Sequence, residues 1–464
     1  MKGEKRSMRN ARRNIRPVSL SLQPSSFILS LLMFALSSCI ARQQPEPFTI
    51  VWNYDTSGYL ETCGCSTHQL GGLARRATMI EQLRVSQPVL AIEGAHIVQE
   101  AGEWQLFKGE TIVRSLNAMG YDAMMLGVRE AQHGADGIAR LTTLADFDCF
   151  SANLMVDGEP YSPASALVNI AGSTVGITGV SQPEAVSFEL PQGMGFSDPV
   201  AGLEAALGKL EQKADLVVLC LEGESTWIDG MVQRFSNRAG LFLTGDRTGS
   251  TAGLEFGGDP PRLNNWKLGK YLGMLTVDPA PVGYVFTGAN LPLDDAIADS
   301  PLLKEMLEND FRSQLKDRFF SAVKVDLEQQ YLPPNSCMPC HAGAYKVYAA
   351  SGHARALSSL SQANQAYNPD CMACHVVYDA ELDQLHPLNC IVCHANITQQ
   401  HLWDAVNAAE TGSTLVVEPD SAAASYTYQW CSQCHDEENS HRFKEDWRQM
   451  AQQIFHGGKP PEGR

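Results

Sequence analysis

Beyond residue 40 the sequence has no apolar run approaching the roughly 18 residues that a membrane-crossing helix needs, so the bulk of the chain reads as folded in water. Basic residues are short as well: 35 Lys and Arg stand against 52 Asp and Glu, a net charge of −17. That balance disfavours nucleic acid and anionic lipid headgroups as partners, because both need positive charge. Before residue 330 there are only five cysteines and three histidines. What is present is an ordinary apolar share, 44%, which argues against disorder. At 464 residues the chain has room for two or three cores.

The first 39 residues differ from the rest. Lys2, Lys5, Arg6, Arg9, Arg12, Arg13 and Arg16 precede an apolar stretch, Phe27 to Leu36, that is too short to span and ends in small residues. This is the pattern of a secretory signal peptide. Its end, Leu36-Ser37-Ser38-Cys39, resembles a bacterial lipobox, which implies lipidation at Cys39. Removing a leader with seven basic residues and one acid leaves 28 against 51, a net charge of −23. Residues 40–47 read as a polar tether.

From Phe48 to about Ala298, short apolar runs alternate with amphipathic stretches. The runs 48–52, 88–92, 122–126, 173–180, 215–221 and 240–245 predict buried strands; 72–83, 109–119 and 200–213 predict helices. The expectation is an α/β layered domain. Helical spacing of Leu302, Leu303, Met306, Leu307, Phe311 and Leu315 predicts a connecting helix over 301–330. After Pro334 cysteine and histidine become dense and strand patterns stop, which predicts a mainly α-helical, loop-rich segment.

That segment holds four CxxCH motifs: Cys337, Cys340, His341; Cys371, Cys374, His375; Cys390, Cys393, His394; and Cys431, Cys434, His435. Chance gives roughly 0.01 such motifs in a chain of this composition. In a c-type site the two thiols form thioethers to haem and the adjacent histidine ligates iron. Zinc held by CxxC pairs would not need a histidine after every pair. The expectation is four haem c groups, with distal ligands drawn from His353, His401, His456, His386 and His441. Segments of 29, 14 and 36 residues between successive motifs would keep the haems close together.

The order CxxCH, SGHARAL, PDCMACH, NCIVCHANITQQH and QWCSQCHDEENSHRF resembles the tetrahaem cytochrome c-554 family over roughly 335–458. The resemblance implies that His353 and His401 ligate haems other than those whose motifs precede them. A second resemblance lies upstream. GGLARRATMIEQLR (Gly71–Arg84), SLNAMGYDAMMLG (Ser115–Gly127) and SANL (Ser151–Leu154) resemble the 5′-nucleotidase branch of the calcineurin-like metallophosphatases, over roughly 48–290. That likeness implies a two-cation phosphoesterase, but the implied ligands are mostly replaced. Asp55 keeps the aspartate of the first Asp-x-His motif while Ser57 takes the histidine's place. His96 stands for the bridging aspartate, Gly127-Val128-Arg129-Glu130 for Gly-Asn-His-Glu, and Gly245-Asp246-Arg247-Thr248 for Gly-His-x-His. Where the metal-binding loop belongs lies Cys63-Gly64-Cys65, with His68 nearby. In an oxidising compartment such a pair serves a disulfide, a metal or thiol exchange; Cys149 and Cys220, in apolar strands, read as inert.

Taken together, the sequence predicts a signal peptide over 1–39, a tether over 40–47, a metallophosphatase-like domain lacking metal ligands over 48–300, the connecting helix, and a tetrahaem cytochrome c domain over 331–464. The expected role is an extracytoplasmic, lipid-anchored electron relay in the periplasm or at the outer membrane or cell surface. Its expected partners are other redox proteins or a membrane quinol/cytochrome system. Two alternatives accompany it: a haem-fed reductase or thiol oxidoreductase using Cys63 and Cys65, and a metal-dependent nucleotidase. Phosphatase activity is not expected.

Overall fold

The structure is a computed structural model that describes residues 44–63, 69–183, 188–246, 256–265, 268–326, 333–339, 341–379, 381–394, 431–435, 440 and 443–454. Two six-stranded sheets organise its α/β half. In the first, Phe48–Asn53, Val89–Glu93, Ala123–Met125 and Asp148–Phe150 run parallel, and the hairpin Tyr271–Pro279/Tyr284–Pro292 adds two antiparallel strands beside Phe48–Asn53. In the second, Ser173–Ser181, Leu216–Gly223, Leu241–Asp246 and Arg262–Asn264 are parallel, with antiparallel Ser165–Ile170 and Phe256–Gly257 at the edges.

Side-chain alternation, with its period of two, shows how the layers stack. Ile50 and Trp52 of one sheet share a core with Val218, Cys220 and Leu243 of the other, so the sheets pack face to face. The intervening Val51 instead joins helices Leu73–Ser86 and Glu103–Met119 on one outer face. Val217, Leu219 and Leu221 join helices Pro199–Leu210 and Ser225–Phe235 on the other. Strands buried on both faces read as unbroken apolar runs, which is why these were visible in the sequence. The result is a four-layer α/β/β/α sandwich. Local chemistry sets the helix ends: Asp198 accepts from Ala201 N at 2.7 Å with Pro199 in the first turn, and Gly120 closes Glu103–Met119 in the left-handed region.

The stretch expected as one connecting helix is four consecutive helical pieces, Pro301–Met306, Leu307–Phe311, Arg312–Gln314 and Leu315–Asp326, of which the second is a π-turn. Leu303, Leu307, Phe311, Leu315 and Phe319 form a buried stripe on the outer core of the first sheet. Phe311 stacks on Phe107 at 5.4 Å, and Trp104 meets Phe319 edge-on at 4.9 Å.

Farther on, the described residues form short helices, Pro334–Cys337, Ala342–Ala350, Ala356–Gln362, Pro369–His375, Cys390–Cys393 and Phe443–Ile454. Contrary to the expectation that strand patterns stop after Pro334, Val376–Asp379 and Gln384–Pro387 pair as an antiparallel hairpin. Val376, Val377 and Tyr378 bury consecutively there, so no alternation betrayed the strand.

Candidate functional site

The parallel strands of both sheets deliver their carboxyl ends to one place, the usual ligand end of an open α/β sheet. Phe48–Asn53 leads into Tyr54, Asp55 and Ser57; Val89–Glu93 leads into His96; Ala123–Met125 leads into Gly127 and Glu130; Leu216–Gly223 brings Glu222, and Leu241–Asp246 brings Asp246. The backbone ties the first two turns together: Asp55 N donates to Ala95 O at 3.2 Å and Ser57 N to His96 O at 2.7 Å. Asp55, Ser57 and His96 all lie in the left-handed region, with φ of 60°, 49° and 68°. Such outliers cluster where a site over-determines the backbone.

His96 sits at the centre. Its Nε2 is 2.7 Å from Glu222 Oε1 and its Nδ1 3.7 Å from Asp55 Oδ1. Tyr54 Oη lies 3.4 Å from Nδ1, and the two rings are 5.2 Å apart. The Glu222 contact is an ion pair whenever the ring is protonated. Burial alone would make the imidazolium harder to keep; the carboxylates of Glu222 and Asp55 outweigh burial and raise its pKa to about 9. For Asp55, burial pushes the carboxyl upward, and His96 and the donating Ser57 hydroxyl overcome it, leaving the pKa below the ordinary value.

Glu130 is raised by burial, yet its oxygens are well used. They accept from Gly127 N at 3.0 Å, Ile97 N at 2.8 Å and His96 N at 3.3 Å. Glu222 also accepts from the Ser181 hydroxyl, and Asp246 from that of Ser225. Space is tight: a Cβ on Gly127 would stand 2.2 Å from Glu222 Oε2, and one on Gly245 would stand 2.3 Å from the Tyr54 ring. Beneath lies a second buried pair. Arg76 Nη1 is 2.9 Å from Glu93 Oε2, and Arg76 Nη2 donates to Thr56 Oγ1 at 2.9 Å. Thr56 in turn donates to Glu93 Oε1 at 2.5 Å.

The donor set does not fit two divalent cations. The carboxylates are spent on His96, on backbone N–H groups and on hydroxyls, and the Ser57 hydroxyl is spent on Asp55. Among the described residues no group of three or more His, Cys, Asp or Glu side chains is arranged to hold a metal ion. Arg247 and Thr248 lie outside the described residues.

The other expected site residues fall as follows. The backbone of Cys63 belongs to the strand Thr62–Cys63, paired with Leu70–Gly71; Cys65 and His68 lie outside the described residues, as do Cys39, Cys340, His401, His441 and His456. Cys149 and Cys220 are free thiols, both pushed up by burial, Cys149 to about 12. In the C-terminal part Cys390 donates a hydrogen bond to Cys337 and lowers its pKa to about 7, while Cys393 is raised to about 11 by burial and then by Cys431. Cys374 Sγ lies 4.0 Å from Gln433 O, and Cys371, Cys434 and His394 are half-buried. The rings of His353 and His435 are 6.0 Å apart, and burial and then His375 lower the pKa of His353. His375 Nδ1 lies 3.3 Å from Ala356 O; His386, on the hairpin, lies 3.8 Å from Asp379; and His341 is exposed.

The two parts meet along helix Glu103–Met119 and the loop after Asp55. Lys108 Nζ is 2.7 Å from Asp370 Oδ2, Trp104 Nε1 donates to Asp370 Oδ1 at 2.8 Å, and both Arg312 and Gln365 donate to Glu61.

No protein-family model matches the chain. Bovine 5′-nucleotidase is 26% identical over 297 residues, covering 56% of this chain and 52% of the relative. A snake venom 5′-nucleotidase from Gloydius brevicauda is 29% identical over 234 residues, covering 45% and 40%. The chain thus spans about half the length of the curated relatives it matches. Among solved structures, a 5′-nucleotidase precursor from Thermus thermophilus superposes with a TM-score of 0.50 at 22% identity, over 57% of this chain and 59% of that one. A sulfate thiohydrolase from the same organism also reaches 0.50, at 15% identity over 57% and 60%.

Over about half of its length the chain is similar in sequence to 5′-nucleotidases and shares the fold of a 5′-nucleotidase precursor.

The α/β layered expectation therefore holds, and the role assigned from the motifs is corrected. The relatives carry the 5′-nucleotidase name, which favours a nucleotidase over an electron-transfer cytochrome and overturns the assignments of electron relay and of four haem c groups. No comparison shows a cytochrome c-554 domain or a helical multihaem fold. The cause of the error is physical: a five-residue motif reports local side chains, whereas the nucleotidase likeness runs through some 230–300 aligned residues. Sequence reasoning also missed Glu222, the closest partner of His96, and the Arg76–Glu93 pair. An acid closing the buried run 216–221 was the available signal for the first.

Proposed function

We propose that this chain is a nucleotidase-type protein whose α/β domain receives a phosphorylated small molecule, a nucleoside 5′-monophosphate in the first instance, without a two-cation hydrolytic centre. The observation that carries this reading is the convergence of Asp55, His96, Gly127, Glu130 and Asp246 at the carboxyl ends of parallel strands, on a fold shared with a 5′-nucleotidase precursor. The names of the sequence relatives support the ligand class. The occupation of the carboxylates by His96 and by backbone donors supports binding without metal-driven phosphate release. The leader ending at Cys39 supports work outside the cytoplasm on a lipid anchor. No helix among the described residues is long and apolar enough to cross a membrane.

The test is calorimetric titration of the full chain with AMP, together with phosphate release from AMP in EDTA and in Mg²⁺, Mn²⁺, Co²⁺ or Zn²⁺. Binding that survives EDTA, with no cation-stimulated release, is expected. Cation-stimulated release would replace the metal-free reading with a hydrolytic nucleotidase. Absence of both binding and release would overturn the proposal altogether.

A further inference from the structure

Arg129 differs from the other charged side chains at this end of the sheets. It lies on the short helix Val128–Ala131, just after strand Ala123–Met125, between two fully buried neighbours, Val128 and Glu130. The backbone there is pinned, because Glu130 accepts from Gly127 N, His96 N and Ile97 N. With its neighbours turned inward, Arg129 is half-buried, and its guanidinium carbon sits 5.0 Å from the centre of the Phe188 ring. Phe188, also half-buried, belongs to the segment that follows strand Ser173–Ser181. The first sheet thus supplies the cation of this contact and the second supplies its aromatic support.

What Arg129 lacks is an anion. His96 faces Glu222 and Asp55, and Arg76 is matched to Glu93 and Thr56. Among the described residues Arg129 makes neither an ion pair nor a hydrogen bond; its contact is with the Phe188 ring. A guanidinium carries a positive charge and five N–H donors in a rigid fork, which matches phosphate oxygens two at a time. An aromatic ring covers one face of such a group and leaves the donors at its edge free. Holding the side chain in place beforehand also lowers the entropy lost when an anion arrives. The acids fix where that anion stops: Asp55 and Glu222 lie at the strand ends, and their like charge keeps a phosphoryl group out from between them and on the arginine.

We infer that Arg129, backed by Phe188, is the anion anchor of the α/β domain: its guanidinium takes the phosphoryl group of the ligand in a two-point hydrogen-bonded contact. This rests on the reading of the domain as a receiver of nucleoside monophosphates, and adds the side chain that the phosphate meets.

The experiment is calorimetric titration of the full chain in EDTA with AMP, adenosine and inorganic phosphate, on wild type, Arg129→Met, Arg129→Lys and Phe188→Ala. Arg129→Met should weaken AMP by about 10–100-fold, the worth of a charge-assisted contact, and should lose inorganic phosphate, while adenosine is unaffected. Arg129→Lys should fall between, because it keeps the charge and loses the fork. Phe188→Ala should weaken AMP by less than Arg129→Met does, and added NaCl should weaken AMP more in wild type than in Arg129→Met. Arg129→Lys and Phe188→Ala keep the test open should Arg129→Met not fold. AMP bound equally well by wild type and Arg129→Met would overturn the inference and leave the nucleotide reading standing. Equal losses for AMP and adenosine would also overturn it, since they mark a merely structural arginine. Inorganic phosphate bound by wild type and lost in Arg129→Met, with AMP no tighter than phosphate, would uphold the anchor and remove the nucleotide. A wild type that takes neither AMP nor phosphate would overturn both.

Discussion

Replacing Arg76 with methionine tests how the floor of the site is held together. The guanidinium is 1% exposed and its partner Glu93 not at all, at 2.9 Å. Methionine fills much of the volume but leaves the Glu93 carboxylate buried, with the Thr56 hydroxyl as its remaining side-chain donor among the described residues. Breaking a buried pair from one side costs about 3–5 kcal/mol, because the surviving charge keeps its desolvation penalty and loses its partner. In a domain of this size each kcal/mol moves the melting temperature by about 2–4 °C, so Arg76→Met should unfold about 6–20 °C lower. The partner experiment removes both charges. Arg76→Met/Glu93→Leu should recover at least half of the loss, since buried ion pairs often contribute little beyond well-packed apolar residues. Thermal unfolding followed by circular dichroism at pH 7 reads both. An Arg76→Met protein within about 1 kcal/mol of wild type, or a double variant as damaged as the two singles combined, would refute the reasoning.

Other consequences can be checked separately. His96 has a folded pKa of about 9 against an ordinary value of 6.5. Its contribution, on the order of 3 kcal/mol, is therefore fully present below about pH 6.5 and lost as pH rises through about 9; urea midpoints should fall across that window, and His96→Asn should flatten the decline. Gly127→Ala should destabilise by about 1–3 kcal/mol, because the new methyl group would displace Glu222 from His96. Since Asp370 is 51% exposed at the side chain, Asp370→Asn should cost about 1 kcal/mol or less, and the cost should shrink in high salt. Alkylation with iodoacetamide at neutral pH should leave Cys149 and Cys220 unlabelled in the native protein, since burial suppresses both thiolates; rapid labelling of either would contradict that placement.

The parts of the fold that were legible are those whose chemistry is local and repetitive. Runs such as 215–221 showed as strands because both of their faces are buried, between Cys220 in the inter-sheet core and Leu219 in the outer one. The hairpin Tyr271–Pro292 was not legible, because its edge strand Tyr284–Pro292 buries no residue fully and glycines and prolines interrupt the apolar pattern. Nor could the sequence show that six strands belong to each of two sheets, since apolar runs alike in composition carry no sign of which face they will meet. At the site, the replacement of Asp by His at 96 was readable as a departure from the family it resembles. What that histidine does was not, since Glu222 reaches it from 126 positions away in the chain. The cysteine motifs were the most conspicuous local signal and drew the functional reading toward haem, while the likeness shared with the relatives lay in the quieter α/β half.

Glu61 gives the loop that begins at Asp55 a second fastening. One of its oxygens takes Arg312 and the other takes Gln365, six residues before the first cysteine of the second CxxCH motif. The loop is thereby clamped at one end to the floor of the site and at the other to the cysteine-rich part. A ligand that pushed Asp55 aside would pull on the same short strap that positions Gln365, and a displacement of helix Pro369–His375 would be felt at Asp55. The eight residues from Asp55 to Thr62 thus join the site to the cysteine-rich part through the side chain of Glu61 as well as through the chain itself.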